Sequence, residues 1–425
     1  MKSSAALAPA LSESAQRVAR VAGGRSLADE IERVAEDPTE TPHAALLDIT
    51  HGTLRRYGRG QALVSALSRK GRPDPLVEAL LWCALYALES GRYAEYTVVD
   101  QAVRACALLE RRPAKGYVNA LLRTYLRERG SFEARIAANP EARYQHPLWW
   151  IDLLRTAYPT GWEDVLAAGN SRPPMSLRVN RRASRAEKYA ARLAAAGIAS
   201  RRAGEDGLLL ERPVPVDRLP GFAQGDVSVQ DLGAQRAAHC LDLSAGQRVL
   251  DACAAPGGKA AHILELADVR LTALDADSAR CARMSRNLDR LGLAAVVAAG
   301  DCRRPADWWD GAAFDRILAD VPCSASGVAR RHPDLKWLRR AQDIPAFAGR
   351  QAAILDALWQ VLAPDGKLLY VTCSVFPREN EDAVEAFLAR TPGARREPLP
   401  DGAPAQWLPC PEHDGFHYAL IAKQA

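Results

Sequence analysis

Two cysteines in this chain stand where thiol chemistry could occur. In "ADVPCSASG", Cys323 follows Asp320 and Pro322; in "LLYVTCSVFPRENED" (369–383), Cys373 sits where an apolar run gives way to polar and acidic residues. Such a cysteine is either a small hydrophobic filler or a thiol held at the rim of a sheet, where ligands bind. Four acids share that placement: Asp251, Asp275, Asp301 and Asp320 each close a segment that reads as a strand. Asp251 leads into Ala252, Cys253, Ala254, Ala255, Pro256, Gly257, Gly258 and Lys259. Small side chains there let backbone N–H groups approach a ligand, and the following helix start favours a ligand carboxylate.

This loop is neither the G-x-G-x-x-G of dinucleotide binding nor a P-loop. A nucleoside ligand without a pyrophosphate fits better. Asp275 suits two ribose hydroxyls, since a carboxylate accepts from both, and Asp301 is placed for an adenine ring. S-adenosylmethionine is the leading candidate. Two thiols and Asp320 beside a sulfonium suit methylation at carbon 5 of a pyrimidine. That carbon becomes nucleophilic once a thiolate adds at carbon 6. A protonated carboxyl could stabilise the adduct at N3, and a base must later remove the carbon-5 proton so that the thiol can leave. Burial and a nearby sulfonium would tune the thiolate. The D-V-P-C loop carries a thiol where an amino-group methyltransferase of the N-P-P-Y kind carries an aromatic, which argues for carbon over nitrogen. Spacing does not decide which cysteine attacks. Lys259 either is solvated or touches ligand or RNA; His332, beside Arg330 and Arg331, reads as RNA-contacting or surface. His51, His146 and His239 read as structural or exposed. Cys253 reads as a small residue tolerated by close packing, and the remaining cysteines as filler.

The elements that must position these groups fall into three segments. Residues 1–150 read as an all-α bundle, with "DPLVEALLWCALYALE", "EYTVVDQAVRACALLE" and "PAKGYVNALLRTYLRERG" at helical spacing. Residues 151–224 read as a small α+β basic linker subdomain: a helix at about 150–170, strands at "RPPMSLRVN" and "GLLLER", and a helix at "SRAEKYAARLAAAGI" with Ser184 as N-cap. Residues 225–425 alternate strand and helix, which implies an α/β, mostly parallel, doubly wound Rossmann-like sheet. "GFHYALIAK" reads as its final, edge strand.

The chain has 425 residues and a net charge of +5, with 48% hydrophobic residues. Its length favours several domains. No apolar run reaches the ~18 residues of a membrane span, and the first residues lack the layout of a secretory signal. Nine cysteines show no C-x-x-C pair, so we expect no metal centre of that kind and free thiols in a reducing cytoplasm. Basic residues cluster between Ser171 and Arg202, with Glu187 as the one acid, and again in "ARRHPDLKWLRR" (329–340) around Trp337. Both read as phosphate- and base-contacting surface or as solvated charge.

Taken together, "DACAAPGGK", "ALDAD", "ADVPCS" and "VTCS" look like the fingerprints of the RNA 5-methylcytosine methyltransferases of the Sun/Fmu family. "YTVVDQAVRACALLERRPAKGYVNALLR" is similar to the NusB-like RNA-binding domain fused to ribosomal RNA members of that family. "SRPPMSLRVN", "GFAQGDVSVQDLGAQ" and "RRHPDLKW" look like their middle segment and post-catalytic loop. The resemblance covers roughly residues 40–423. It implies that Cys373 is the nucleophile, that Cys323 helps release product and that Asp320 assists at the cytosine. It also implies that the 252–259 loop, Asp275 and Asp301 hold S-adenosylmethionine. The expected substrate is cytosine in a single-stranded loop or hairpin of small-subunit (16S) ribosomal RNA, since the base must be unstacked. We expect a cytoplasmic monomer without metal or membrane partner. Transfer RNA as substrate, or an assembly factor with a residual site, are the alternatives. One departure stands out: the family's P-C-S-G-T-G is P-C-S-A-S-G here, with Ala325 for glycine, which costs loop freedom.

Overall fold

Between Arg248 and Thr372 the expected alternation of strand and helix is realised. The computed structural model describes residues 7–36, 43–68 and 71–424, so the first six residues lie outside it. The strands are β1 (Ser176–Val179), β2 (Ser200–Arg202), β3 (Gly207–Leu210), β4 (Val227–Val229), β5 (Arg248–Asp251), β6 (Arg270–Asp275), β7 (Val296–Ala299), β8 (Phe314–Asp320), β9 (Leu362–Thr372), β10 (Ala394–Glu397), β11 (Gln406–Trp407) and β12 (Phe416–Lys423). The described residues form two units: Met1–Ser171 with Ala329–Ala341, and Arg172–Val328 with Gln342–Ala425. No helix among them is long and apolar enough to cross a membrane.

In the second unit the large sheet runs β10-β12-β9-β8-β5-β6-β7, with β11 paired to β12. Strands β5 to β9 are parallel, and β12 is antiparallel to β9. The strand order reverses between β5 and β8, which is where a doubly wound sheet opens a cleft at its carboxyl ends. Apolar side chains pack both faces, with Ala260, Ile263, Met284 and Leu288 in one core cluster and Ile317, Leu355, Leu358 and Tyr370 in another. The last strand corrects one expectation. β12 is interior, flanked by β9 and β10, because β10 adds an antiparallel edge beyond it. Its burial is accordingly continuous from Phe416 to Ile421.

A four-stranded antiparallel sheet, β2-β3-β1-β4, precedes the large one. The helix Ala186–Ala195 covers it, with Tyr189 and Leu193 buried. Ser184 does not cap that helix: its N-cap is Arg185, and the Ser184 hydroxyl turns to the Arg185 carbonyl.

The first unit is helical throughout its described residues. Its central helix, Pro75–Glu89, is apolar on nearly every face, and eleven of its residues are buried. Asp74 caps it, accepting from the Leu76 and Val77 amides, with Pro75 at the first helical position. The segment Ala329–Ala341 belongs to this unit, and here the second basic cluster is corrected. Lys336 is fully buried, donating to the Arg55 carbonyl (3.1 Å) and Asn170 Oδ1 (2.8 Å), and burial holds its ammonium well below the usual range. Arg330 is buried as well. Asp334 accepts from the Leu27 amide, and Trp337 donates to the Leu54 carbonyl and meets Tyr57 edge-on at 5.2 Å. Arg330, Asp334, Lys336 and Trp337 thus pack inward and are not a phosphate-facing surface, whereas His332 and Arg340 of the same cluster are exposed.

Candidate active site

The carboxyl ends of β5, β6, β8 and β9 gather the residues singled out from the sequence. Asp251, Asp275 and Asp320 each end a strand; Asp301 does not, lying in the loop after β7, which stops at Ala299. β8 and β9 are parallel neighbours, so the residues that follow them meet. The Cys323 and Cys373 sulfurs are 3.4 Å apart. Cys323 is buried and Cys373 partly open. The S–H contact with Cys373, together with burial, pushes the Cys323 thiol well above its ordinary range. The two sulfurs thus differ in access, Cys323 being enclosed and Cys373 reachable from the cleft.

A buried network fixes the two thiol loops to each other. The carboxylate of Glu379 accepts from the Ser324 amide (2.7 Å), the Ser324 hydroxyl (2.5 Å), the Ser374 hydroxyl (2.6 Å) and Gln351 Nε2 (3.3 Å). Ser326 bonds Ser374 (3.1 Å) and accepts from the Val375 amide (2.9 Å). Asn380 accepts from Thr372 (2.5 Å) and donates to the Ser374 carbonyl (2.9 Å). Burial raises the Glu379 carboxyl above its usual range, while its donors pull the other way. Sequence reading passed over Glu379 and Asn380 as part of a polar stretch. The available signal was the acid and amide directly after a Pro-Arg turn, where an exposed loop would give no reason for a buried carboxylate.

Backbone geometry in the Cys323 loop explains two small residues. Gly327 donates to the Cys373 carbonyl (2.8 Å), and a Cβ on it would lie 2.2 Å from the Gly415 carbonyl oxygen. Ala325 has φ of +60°, the left-handed region that glycine occupies freely. The departure noted in the sequence thus falls on a strained position. Ala325→Gly is expected to raise stability by roughly 0.5–1 kcal/mol, the left-handed strain being partly offset by glycine's greater unfolded-state freedom. Chemical denaturation would show it as a higher midpoint at unchanged slope.

On the cofactor-loop side, Ala252 to Lys259 connects β5 to the helix Gly258–Leu266. Gly257 (φ +93°) makes the turn, and a Cβ there would strike Met284 at 2.6 Å. Arg178 of β1, fully buried, anchors the helix start. It pairs bidentately with Glu265 (2.7 and 2.8 Å) and donates to the Gly258 carbonyl (2.6 Å) and Gln230 (2.5 Å). Other members of the first basic cluster are likewise paired: Arg181 with Glu205 and Asp206, Arg192 with Asp226 and Arg201 with Glu412.

The acids differ in their surroundings. Asp275 accepts from the Ala255 and Asp277 amides, both at 3.1 Å, so it braces the 252–259 loop and keeps lone pairs to spare. Asp301 is held by Arg303 at 2.7 Å. Asp320 meets the Lys259 ammonium at 2.5 Å, so Lys259 is an ion-pair partner. Asp251 is buried with no well-formed hydrogen bond to either oxygen. Burial first, then the neighbouring Asp320, pushes its carboxyl up to about 7. Asp206 lies 3.1 Å from His239 Nε2 and 3.4 Å from His262 Nε2. Arg181 also pairs with that carboxylate, and burial holds His262 down at about 3. His51 and His146 are likewise held below the usual range by burial.

Sequence models match for the 16S rRNA methyltransferase RsmB/F family over residues 238–421, for the RsmF/B-like ferredoxin-like domain over 146–217 and for the NusB family over 10–127. The chain is 44% identical over 412 residues to the ribosomal RNA small subunit methyltransferase B of Vibrio cholerae serotype O1, covering 94% of each. It is 43% identical to that of Pseudomonas syringae pv. tomato, covering 89% of this chain and 88% of the other. Among solved structures, PH0851 has a TM-score of 0.80 at 23% identity, covering 98% of this chain and 99% of that one, a likeness of fold. A methyltransferase homolog protein from Pyrococcus horikoshii has a TM-score of 0.59 at 26% identity, covering 67% of this chain and 97% of its own.

Proposed function

This chain belongs to the 16S rRNA methyltransferase RsmB/F family, and on that premise we propose that it methylates carbon 5 of a cytosine in small-subunit ribosomal RNA through a transient bond to Cys373. The coarser part stands plainly: it is a ribosomal RNA methyltransferase that uses S-adenosylmethionine. The observation that carries the finer part is the pair of sulfurs 3.4 Å apart at adjacent strand ends, one buried and the other partly open.

The residues present fit the cofactor. Asp251 is a buried acid lacking a well-formed partner beside a glycine turn, which a cationic group would complete. The amides of Ala252 to Gly258 line the same loop, with Asp275 for ribose hydroxyls and Asp301 beyond it. When bound, S-adenosylmethionine supplies an electrophilic methyl group. Cys373 adds to cytosine carbon 6, which turns carbon 5 into an enamine-like nucleophile. Asp320 faces the base and passes a Lys259 proton toward N3 as the adduct forms. After methyl transfer, a water in the cleft takes the carbon-5 proton, that C–H pair re-forms the C5–C6 double bond and the C6–S bond breaks to free the Cys373 thiolate; Cys323, 3.4 Å away, assists this release. Lys259 thus acts through Asp320 and not on the cofactor. We propose that this occurs in the cytoplasm on a single-stranded loop or hairpin, by a monomer; all nine cysteines are free thiols, as a reducing compartment requires.

Asp251 gives a pH signature. Its carboxyl, near 7 without ligand, must be ionised to hold a cation. Cofactor affinity should therefore fall as pH drops through 7, by about tenfold from pH 8 to pH 6. Asp251→Asn should weaken binding and flatten that profile. Calorimetric titration across this range is the check; an unchanged slope in the variant would count against the assignment.

The reaction itself is tested by incubating the protein with unmodified small-subunit RNA and isotopically labelled S-adenosylmethionine, then digesting to nucleosides. Label in 5-methylcytidine supports the reading. Label in another nucleoside, or on ribose, overturns it.

A further inference from the structure

A second thiol pair lies at the strand ends, and the mechanism does not use it. Cys253, in the loop after β5, and Cys302, in the loop after β7, place their sulfurs 3.9 Å apart. In the sheet, β6 runs between those two strands, so the thiols meet over the end that Asp275 occupies. In the sequence Cys253 reads as a small residue tolerated by close packing and Cys302 as filler, and 49 positions separate them. Cys253 is partly open, whereas Cys302 is buried.

We propose that Cys253 and Cys302 form an oxidation site for small hydroperoxides, closing to a disulfide that ties the cofactor loop to the β7 loop and shuts out the cofactor. Hydrogen bonding from the Cys253 S–H holds the Cys302 thiol below its ordinary range, which favours its thiolate as the attacking group. Cys302 sulfur attacks the peroxide: an S–O bond forms, the O–O bond breaks, and water or an alcohol leaves. Cys253 sulfur then attacks the Cys302 sulfenic acid: an S–S bond forms, the S–O bond breaks, and water leaves. Two thiols are oxidised and one peroxide is reduced. The sulfurs must close from 3.9 Å to a bond of about 2.05 Å, which the two loops can supply by moving toward each other. A dithiol in a reducing compartment suits such a transient bond.

The cofactor readout rests on the reading given under Proposed function, so cross-link and affinity are measured separately. Cys323→Ser/Cys373→Ser protein removes the other thiol pair. It is titrated with S-adenosylmethionine before and after hydrogen peroxide, and peptides are mapped without reductant. The expected result is a 253–302 cross-linked peptide with affinity weakened about tenfold or more, both reversed by dithiothreitol. Adding Cys302→Ser to that background should leave binding in reductant unchanged and abolish the peroxide effect. Free thiols at both positions after peroxide, or a cross-link with unaltered affinity, would overturn the proposal. If reduced protein fails to bind S-adenosylmethionine at all, the functional reading falls, and the peptide map alone decides whether the oxidation site exists.

Discussion

Cys373→Ala is expected to abolish methyl transfer, by roughly four orders of magnitude or more, because no other group supplies the bond at carbon 6. The structure separates this variant from its neighbour. Cys323 lies 3.4 Å away, but it is buried and its thiol is pushed above the ordinary range, so we expect it to be a poor substitute for Cys373. Cys323→Ala should permit attack and methyl transfer but stall release. Denaturing gels would then show RNA-bound protein with ordinary RNA, an adduct that Cys373→Ala never forms. RNA carrying 5-fluorocytosine at the target should trap wild-type protein in the same way, since carbon 5 then has no removable proton. Adduct formation by Cys373→Ala would end the mechanism.

The second large effect is expected at Glu379. One carboxylate there satisfies two serine hydroxyls, a backbone amide and a glutamine, from both loops that carry the thiols. Glu379→Gln turns one acceptor into a donor facing donors. It should lower kcat by about a hundredfold, because a small misplacement of reacting groups is enough for that loss. Stability should drop by roughly 1–3 kcal/mol from the buried polar groups left unpaired. Cofactor affinity should stay near wild type, because Glu379 holds the thiol loops and not the 252–259 loop. A drop in affinity equal to the drop in kcat would indicate general unfolding, and a normal kcat would remove the positioning role.

Much of this arrangement was legible before any coordinates. The thiols could be placed together because "FDRILAD" and "GKLLYVT" are apolar runs flanked by helical segments, a pattern that makes parallel neighbours. The loop from Ala252 to Lys259 was legible as a strand-to-helix connection from its small residues. Other features depend on partners distant in sequence, which local pattern does not encode. Arg178 looked like part of a basic surface, but its counter-charge, Glu265, lies 87 residues on. Lys336 read as phosphate-contacting or solvated because charge is normally exposed, and its burial became possible only with a carbonyl and an amide acceptor from other helices. The final strand looked like an edge because nothing in "ARRE" announces β10.

The placement of residues 329–341 has a consequence for synthesis on the ribosome. Chains emerge from the N-terminus, and leading domains ordinarily finish folding first. Here the leading bundle cannot complete its interior until Asp334, Lys336 and Trp337 have been translated, by which point β5 to β8 are already out. A fragment cut at Ser171 would leave Tyr57 and the Leu54 carbonyl without Trp337, a nascent-like bundle prone to aggregate. Separate expression of the two units should therefore fail where the uncut chain succeeds.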